Sequence, residues 1–314
     1  QVRPAYALVR ANLSQRELVG EASTSLTRED LFWPLGRGRA TLAYDLDALE
    51  AYSSRGGNAL IALSRPLWWR KIQVSAGWRL ELVQFTRIDA TIDDSLRRDL
   101  GFQTPYRAGF FEQTLALDLR DRPLNADKGV YAQVKLEEGG AFAAGQFDYA
   151  QVTPELRAYH SLSERFGIAG RGKFGWPLWG TAPITRRFFS GGSTSHRGFS
   201  QRRLSPVAGD TETSDIGIGG DKLLELVIET RFNLVRVWEQ WLGLTFFADG
   251  GDVVMDQASL DPRDLHWAVG PGLRYDTEIR PLRFDTGYRT TRFGACVIQT
   301  RDRLAYHFSI GEAF

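Results

Sequence analysis

Leu224, Leu226, Ile228, Thr230 and Phe232 alternate with Glu225, Val227, Glu229 and Arg231. A period of two belongs to extended chain, whose successive side chains point to opposite faces. The same period sets Ile72, Val74, Ala76, Trp78, Leu80 and Leu82 against Lys71, Gln73, Ser75, Gly77, Arg79 and Glu81. It returns at 130–137 and 267–276, and again where Leu304, Tyr306, Phe308 and Ile310 interleave with Arg303, Ala305, His307 and Ser309. About fourteen strands are predicted, at 3–13, 18–28, 38–47, 58–68, 71–83, 108–120, 129–138, 147–159, 165–176, 222–233, 241–250, 265–276, 281–289 and 302–314. Many reach the roughly 9–11 residues that a tilted strand needs to cross a bilayer. Little helix is predicted.

One apolar face per strand also suits a soluble sheet, whose second face is solvated. Here the apolar faces are large and aromatic in nearly every segment, and the polar faces mix glycine, hydroxyls and both signs of charge. That division predicts an all-β, transmembrane, antiparallel up-and-down β-barrel with lipid outside and a polar lumen. Closure also removes strand edges that lipid cannot satisfy. Connections are short in places, as at 277–280, and long in others, notably 177–221. Such asymmetry is expected between the two rims of a barrel. With no boundary or low-complexity tract, residues 1–314 are read as one domain. A soluble β-sandwich adhesin is the competing architecture, and it would be stable without detergent.

Composition narrows the chemistry. The net charge is +1, from 39 basic and 38 acidic residues, which argues against a nucleic-acid partner. Cys296 is the single cysteine, and His160, His196, His266 and His307 have no metal-ligand spacing. No metal and no cofactor are predicted. No apolar run approaches the roughly 18–20 residues of a membrane helix, yet barrel strands give weak hydropathy signals. The chain opens at Gln1 with no signal segment, which reads as a mature or truncated product. Trp68, Trp69, Trp176, Trp179, Trp238 and Trp241 fall near strand ends, where interfacial aromatic girdles lie.

Identity is carried by the long connection, which reads Arg186-Arg187-Phe188-Phe189-Ser190-Gly191-Gly192-Ser193-Thr194-Ser195-His196-Arg197-Gly198-Phe199. It resembles the signature loop of the BamA/TamA superfamily of outer-membrane barrels, a "FF-x-GG-x-x-x-x-RG-[FY]" run that folds back into the lumen. Phe246-Phe247-Ala248-Asp249-Gly250-Gly251-Asp252-Val253 resembles the family's "FFxDxGxV". Gly272–Asp276 with Pro281–Asp285 is similar to its "GLRYDTPIGPLRLD", and 118–130 fits as well. The likeness is strongest from about 110 to 314.

The resemblance implies a sixteen-strand barrel in a bacterial outer membrane. Laid against it, the chain lacks the first two strands and the preceding soluble POTRA domains. In the family, the first and last strands meet weakly and open as a lateral gate. The resemblance also implies that the loop arginine contacts acidic residues, and Arg197 is expected to pair with Glu229 and Asp249, which share inward-facing sets on the strands after the loop. Arginine offers a rigid fork of donors, and a bidentate, partly dehydrated pair is stronger than an exposed one. Gly191, Gly192 and Gly198 would let the backbone turn or approach closely, and Phe199 would supply an apolar anchor. Tyr306, Phe308, Ile310 and terminal Phe314 resemble the C-terminal assembly signal of outer-membrane proteins.

The implied function is non-covalent insertion or assembly of outer-membrane proteins, without nucleotide and without enzymatic activity. The implied partners are outer-membrane lipids, unfolded outer-membrane clients and accessory lipoproteins or periplasmic subunits. A polypeptide-translocating pore of the two-partner secretion type is the alternative. Some relatives carry a patatin-like lipase ahead of the barrel, but these 314 residues supply no such nucleophile. Gly170–Gly175 matches GxGxxG inside a strand pattern with no helix following, so dinucleotide binding is set aside. Ser193 and Ser195 beside His196 lack a nucleophile–base geometry. Asp93-Asp94 and Glu137-Glu138 read as solvated loop or rim carboxylates.

Overall fold

Strand pairing organises the molecule, and the alternating segments supply the strands. The computed structural model describes residues 2–12, 17–103, 105–123, 125–208, 216–277, 281–290 and 303–311, with backbone alone for 2–12, 17 and 18. The strands are β1 (Val2–Asn12), β2 (Glu17–Glu29), β3 (Arg37–Ala48), β4 (Tyr52–Leu67), β5 (Ile72–Ile88), β6 (Tyr106–Asp118) and β7 (Gly129–Gly139). They continue as β8 (Tyr149–Ser161), β9 (Phe166–Gly180), β10 (Lys222–Val237), β11 (Gln240–Val254), β12 (His266–Tyr275), β13 (Leu282–Arg289) and β14 (Leu304–Ile310). They form one 14-stranded sheet in chain order, the up-and-down topology that antiparallel hairpins generate. The single α-helix among the described residues, α1 (Asp94–Asp99), is capped by Asp93, whose Oδ1 accepts the Leu96 N–H at 2.8 Å. Asp93 and Asp94 are both exposed, in keeping with solvated loop carboxylates, and Asp93 in addition caps the helix.

Fourteen strands were expected and fourteen are described, with the main differences at their ends. β4 starts at Tyr52, six residues before its predicted start, and β5 runs on to Ile88. Ser53, Ser54, Gly56 and Gly57 have turn chemistry, but the ladder to β3 recruits them through Ser54↔Asp47 and Gly57↔Tyr44. Phe314 and Cys296 lie outside the described residues.

Two compact units divide the chain. The first comprises 1–116, 134–152 and 177–187, and the second 117–133, 153–176 and 188–314. The first holds an aromatic knot in which Phe85 meets Tyr52, Phe102 and Tyr106 edge-on at 5.2, 4.7 and 5.3 Å. In the second, burial is inverted relative to a water-soluble protein. Ile228 on β10 is 59% exposed and Phe308 on β14 is 71% exposed, whereas Glu229, Asp249 and Asp285 are fully buried. Strands with apolar side chains outside and charges inside suit a hydrocarbon solvent. Among the described residues, no helix is long and apolar enough to cross a membrane.

Candidate functional site

The β9–β10 connection, residues 181–221, carries the candidate site, and alternation on β10 to β13 builds its floor. Leu223, Glu225, Val227 and Glu229 are buried on β10, and Gly243, Thr245, Phe247, Asp249, Gly251 and Val253 on β11. β12 adds Ala268, Gly272 and Arg274, and β13 adds Arg283, Asp285, Gly287 and Arg289. Register brings these rows together: Glu229 lies opposite Phe247, Asp249 opposite Ala268, and Gly272 opposite Asp285.

Arg197 sits on this floor and is 1% exposed. Its Nε and Nη2 donate to the two oxygens of Asp249, both at 2.8 Å. Its Nη1 donates to Glu229 Oε2 at 2.7 Å, and its backbone N–H donates to Asp249 Oδ2 at 2.8 Å. The guanidinium carbon Cζ lies 3.6 Å from the ring centre of Phe247. Glu229 also accepts from Arg231 Nε at 3.0 Å and from Arg274 Nη2. Arg283 pairs with Asp285 and donates to the Ser193 carbonyl at 3.0 Å. Charge-assisted bonds in a dry setting are the strong class, so the connection is held by a network.

The glycines fit these demands. Gly191 and Gly192 have φ of 101° and 113°, which L side chains rarely adopt. Close approach governs Gly287, where a Cβ would fall 2.1 Å from the Arg197 carbonyl oxygen. Gly287→Ala should therefore push the connection off β13. Hydrogen exchange should show lost protection across 195–199, while protection in the first unit stays unchanged.

Phe199 is buried against Leu204, edge-on to His196 at 5.0 Å, with the Arg289 guanidinium 4.9 Å from its ring centre. Gly198 N–H donates to His196 Nδ1 at 3.3 Å, so the opposite nitrogen, Nε2, carries the proton and donates to the His266 carbonyl at 2.7 Å. Burial pushes the His196 pKa below its ordinary value, although Asp249 and Glu225 pull it upward. Ser195 Oγ accepts the Gly191 N–H at 2.9 Å and serves the turn. Tyr306, Phe308 and Ile310 project from the exposed face of β14, while His307 Nε2 on the other face is 3.0 Å from the Arg197 carbonyl oxygen.

Sequence reasoning missed several of these groups. Arg231, Arg274, Arg283 and Asp285 sit on inward positions, but their convergence depends on strand stagger. It also missed the anchor of Ser190, whose Oγ donates to Glu225 Oε1 at 2.6 Å, and of Arg171, which reaches Glu155 at 2.9 Å and the Thr194 carbonyl at 2.9 Å.

Inside the first unit, Glu137 corrects the reading of a solvated rim carboxylate, because it is only 2% exposed. It accepts Arg186 Nε at 2.9 Å and a second bond from Arg186 Nη2. It also accepts the Tyr149 hydroxyl at 2.8 Å and Gln151 Nε2 at 3.2 Å. Arg186 adds an ion pair to Glu81 at 3.4 Å and stacks 4.4 Å from the ring centre of Phe110. The start of the same connection thus has its own buried anchor. The signal was the first arginine of Arg186-Arg187, two residues before Phe188.

Comparison with known proteins places this arrangement. Residues 10–314 match the model of the Omp85 superfamily domain. The chain is 31% identical over 177 residues to "Outer membrane protein assembly factor BamA" of Nitratidesulfovibrio vulgaris, an alignment covering 54% of this chain and 22% of that protein. The crystal structure of BamA from Haemophilus ducreyi lacking POTRA domains 1–3 aligns with a TM-score of 0.74 at 15% identity, over 96% of this chain and 65% of that one. CdiB from Escherichia coli aligns at 0.64 and 12% identity, over 97% of this chain and 55% of that one. At these identities the structural matches bear on fold, which is the outer-membrane β-barrel. The chain spans about a fifth of the length of the curated relative it matches.

Proposed function

Because this chain belongs to the Omp85 superfamily, we propose that its residues 1–314 serve as one outer-membrane barrel domain that inserts β-barrel clients into the membrane. The observation that carries this reading is the buried Arg197 network, which fixes a long connection against β10 to β13 where an idle loop would stay solvated. The assembly-factor name of the 31%-identical relative supports the same reading. The work is non-covalent. An accessible strand edge pairs with an incoming strand, and main-chain hydrogen bonds supply the affinity. No nucleotide or metal enters the scheme. The proposed partners are unfolded outer-membrane proteins, the surrounding lipid and accessory lipoproteins or periplasmic subunits.

The test is client folding in liposomes containing the full-length protein. Client folding faster than in protein-free liposomes, followed by the gel shift of a folded barrel, is the expected result. Unchanged client folding with steady ion conductance through the protein would instead favour the polypeptide-translocating pore.

A further inference from the structure

Two neighbouring hairpin turns of the first unit carry side chains that their backbones do not favour. The β2–β3 turn contains Phe32 and Leu35 at φ of 67° and 62°, and the β4–β5 turn contains Trp68, Trp69 and Arg70 at 46°, 51° and 67°. Glycine, asparagine and aspartate are the usual residues there. Bulky residues in this left-handed region persist where function retains them. Trp69 is 86% exposed and Phe32 75%, so packing within the fold does not account for them.

Charge is concentrated at the same place. Although the whole chain is nearly balanced, residues 28–39 and 63–75 hold six cations (Arg28, Arg37, Arg39, Arg65, Arg70, Lys71) against Glu29 and Asp30. Both carboxylates are engaged: Glu29 takes Arg37 at 2.8 Å, and Asp30 Oδ1 takes the Leu35 N–H at 2.8 Å. Arg65 lies 5.9 Å from the Trp33 ring centre and Lys71 5.5 Å from that of Trp68. Among the described residues, Arg70 has no ion-pair partner. The Arg37↔Ser64 pairing sets the two turns side by side, and a recess of about 390 Å³ between them is walled by Leu35, Pro66, Gln73, Arg37 and Arg70 beside the engaged carboxylates.

Indole rings prefer the boundary between hydrocarbon and headgroups, and cations near that boundary attract anionic lipid. We propose that the β2–β3 and β4–β5 turns form a binding site for the headgroup of an anionic phospholipid. Arg70 and Lys71 meet the phosphate, and Phe32, Trp68 and Trp69 enter the acyl boundary. The site rests on the membrane-spanning fold and is independent of the insertion reading.

Native mass spectrometry of the full-length protein in mixed phosphatidylglycerol–phosphatidylcholine micelles tests it. Wild type should retain phosphatidylglycerol preferentially. An Arg70→Gly, Lys71→Ser variant should lose that preference by about fivefold per cation removed. Glycine suits the φ of 67° at position 70, and heat-modifiable migration checks that the variant is folded. Arg98→Ser, on α1 at the other end of β5, should keep wild-type retention. Equal retention of the two lipids by wild type, or no change in the folded double variant, would overturn the proposal. So would displacement of the lipid by inorganic phosphate alone, which would identify a simple anion site.

Discussion

Replacing Arg197 with alanine is expected to destabilise the folded protein by about 3–5 kcal/mol, the usual effect of breaking a buried ion pair from one side. The reason is what remains. Asp249 loses the donors on both its oxygens apart from the backbone N–H of residue 197, and Glu229 loses one of three arginine partners. Asp249 should dominate the loss, because Arg231 and Arg274 still serve Glu229. Arg197→Lys should recover only part of it, since a lysine cannot reproduce the fork on Asp249. The double variant Arg197→Ala, Asp249→Asn should be more stable than Arg197→Ala alone, because the orphaned charge has gone. Heat-modifiability and denaturant midpoints in detergent would rank the four proteins. Equal midpoints for wild type and Arg197→Ala would reject the network as an anchor.

The second large effect is expected at Arg186 and Glu137. Arg186→Glu would place three carboxylates in one buried site, since Glu81 and Glu137 already converge there. Glu137→Arg would set a cation against Arg186 and leave Tyr149 and Gln151 without their acceptor. Each single variant should lose about 3–5 kcal/mol. The swapped double variant should recover part of this, with a coupling energy of about 0.5–3 kcal/mol. Recovery stays incomplete because an arginine at 137 cannot accept the tyrosine hydroxyl. Additive losses in the double variant would show that the two residues do not act as a pair. Lost protection should be concentrated at 184–187, which distinguishes this anchor from the Arg197 network.

The period of two made the strands legible, because lipid outside and charge inside reinforce the same alternation along each segment. Glu229 and Asp249 could be placed on inward sets for that reason alone. Alternation alone could not say which inward charges meet; the expected pairing of Arg197 with Glu229 and Asp249 came from the family resemblance, which named no other member of the network. Arg274, Arg283 and Asp285 reach the same place only through the offsets of Gly272↔Asp285 and Thr245↔Gly272, and a one-residue slip would turn them outward. Glu137 was misread because it sits near the end of its strand and precedes Glu138, a pattern shared by solvated rims. Its partner Arg186 lies 49 residues away. The early start of β4 was hidden for a different reason: serine and glycine have poor strand propensity, and pairing with β3 overrode it.

The most direct test of the central claim is client folding in liposomes that contain equal amounts of folded wild type, Arg197→Lys or Arg197→Ala protein. A connection held by Arg197 and needed for insertion predicts fastest client folding with wild type, an intermediate rate with lysine, and a rate near that of lipid alone with alanine. Full acceleration by folded Arg197→Ala protein would contradict the account and leave the buried network a purely structural clamp.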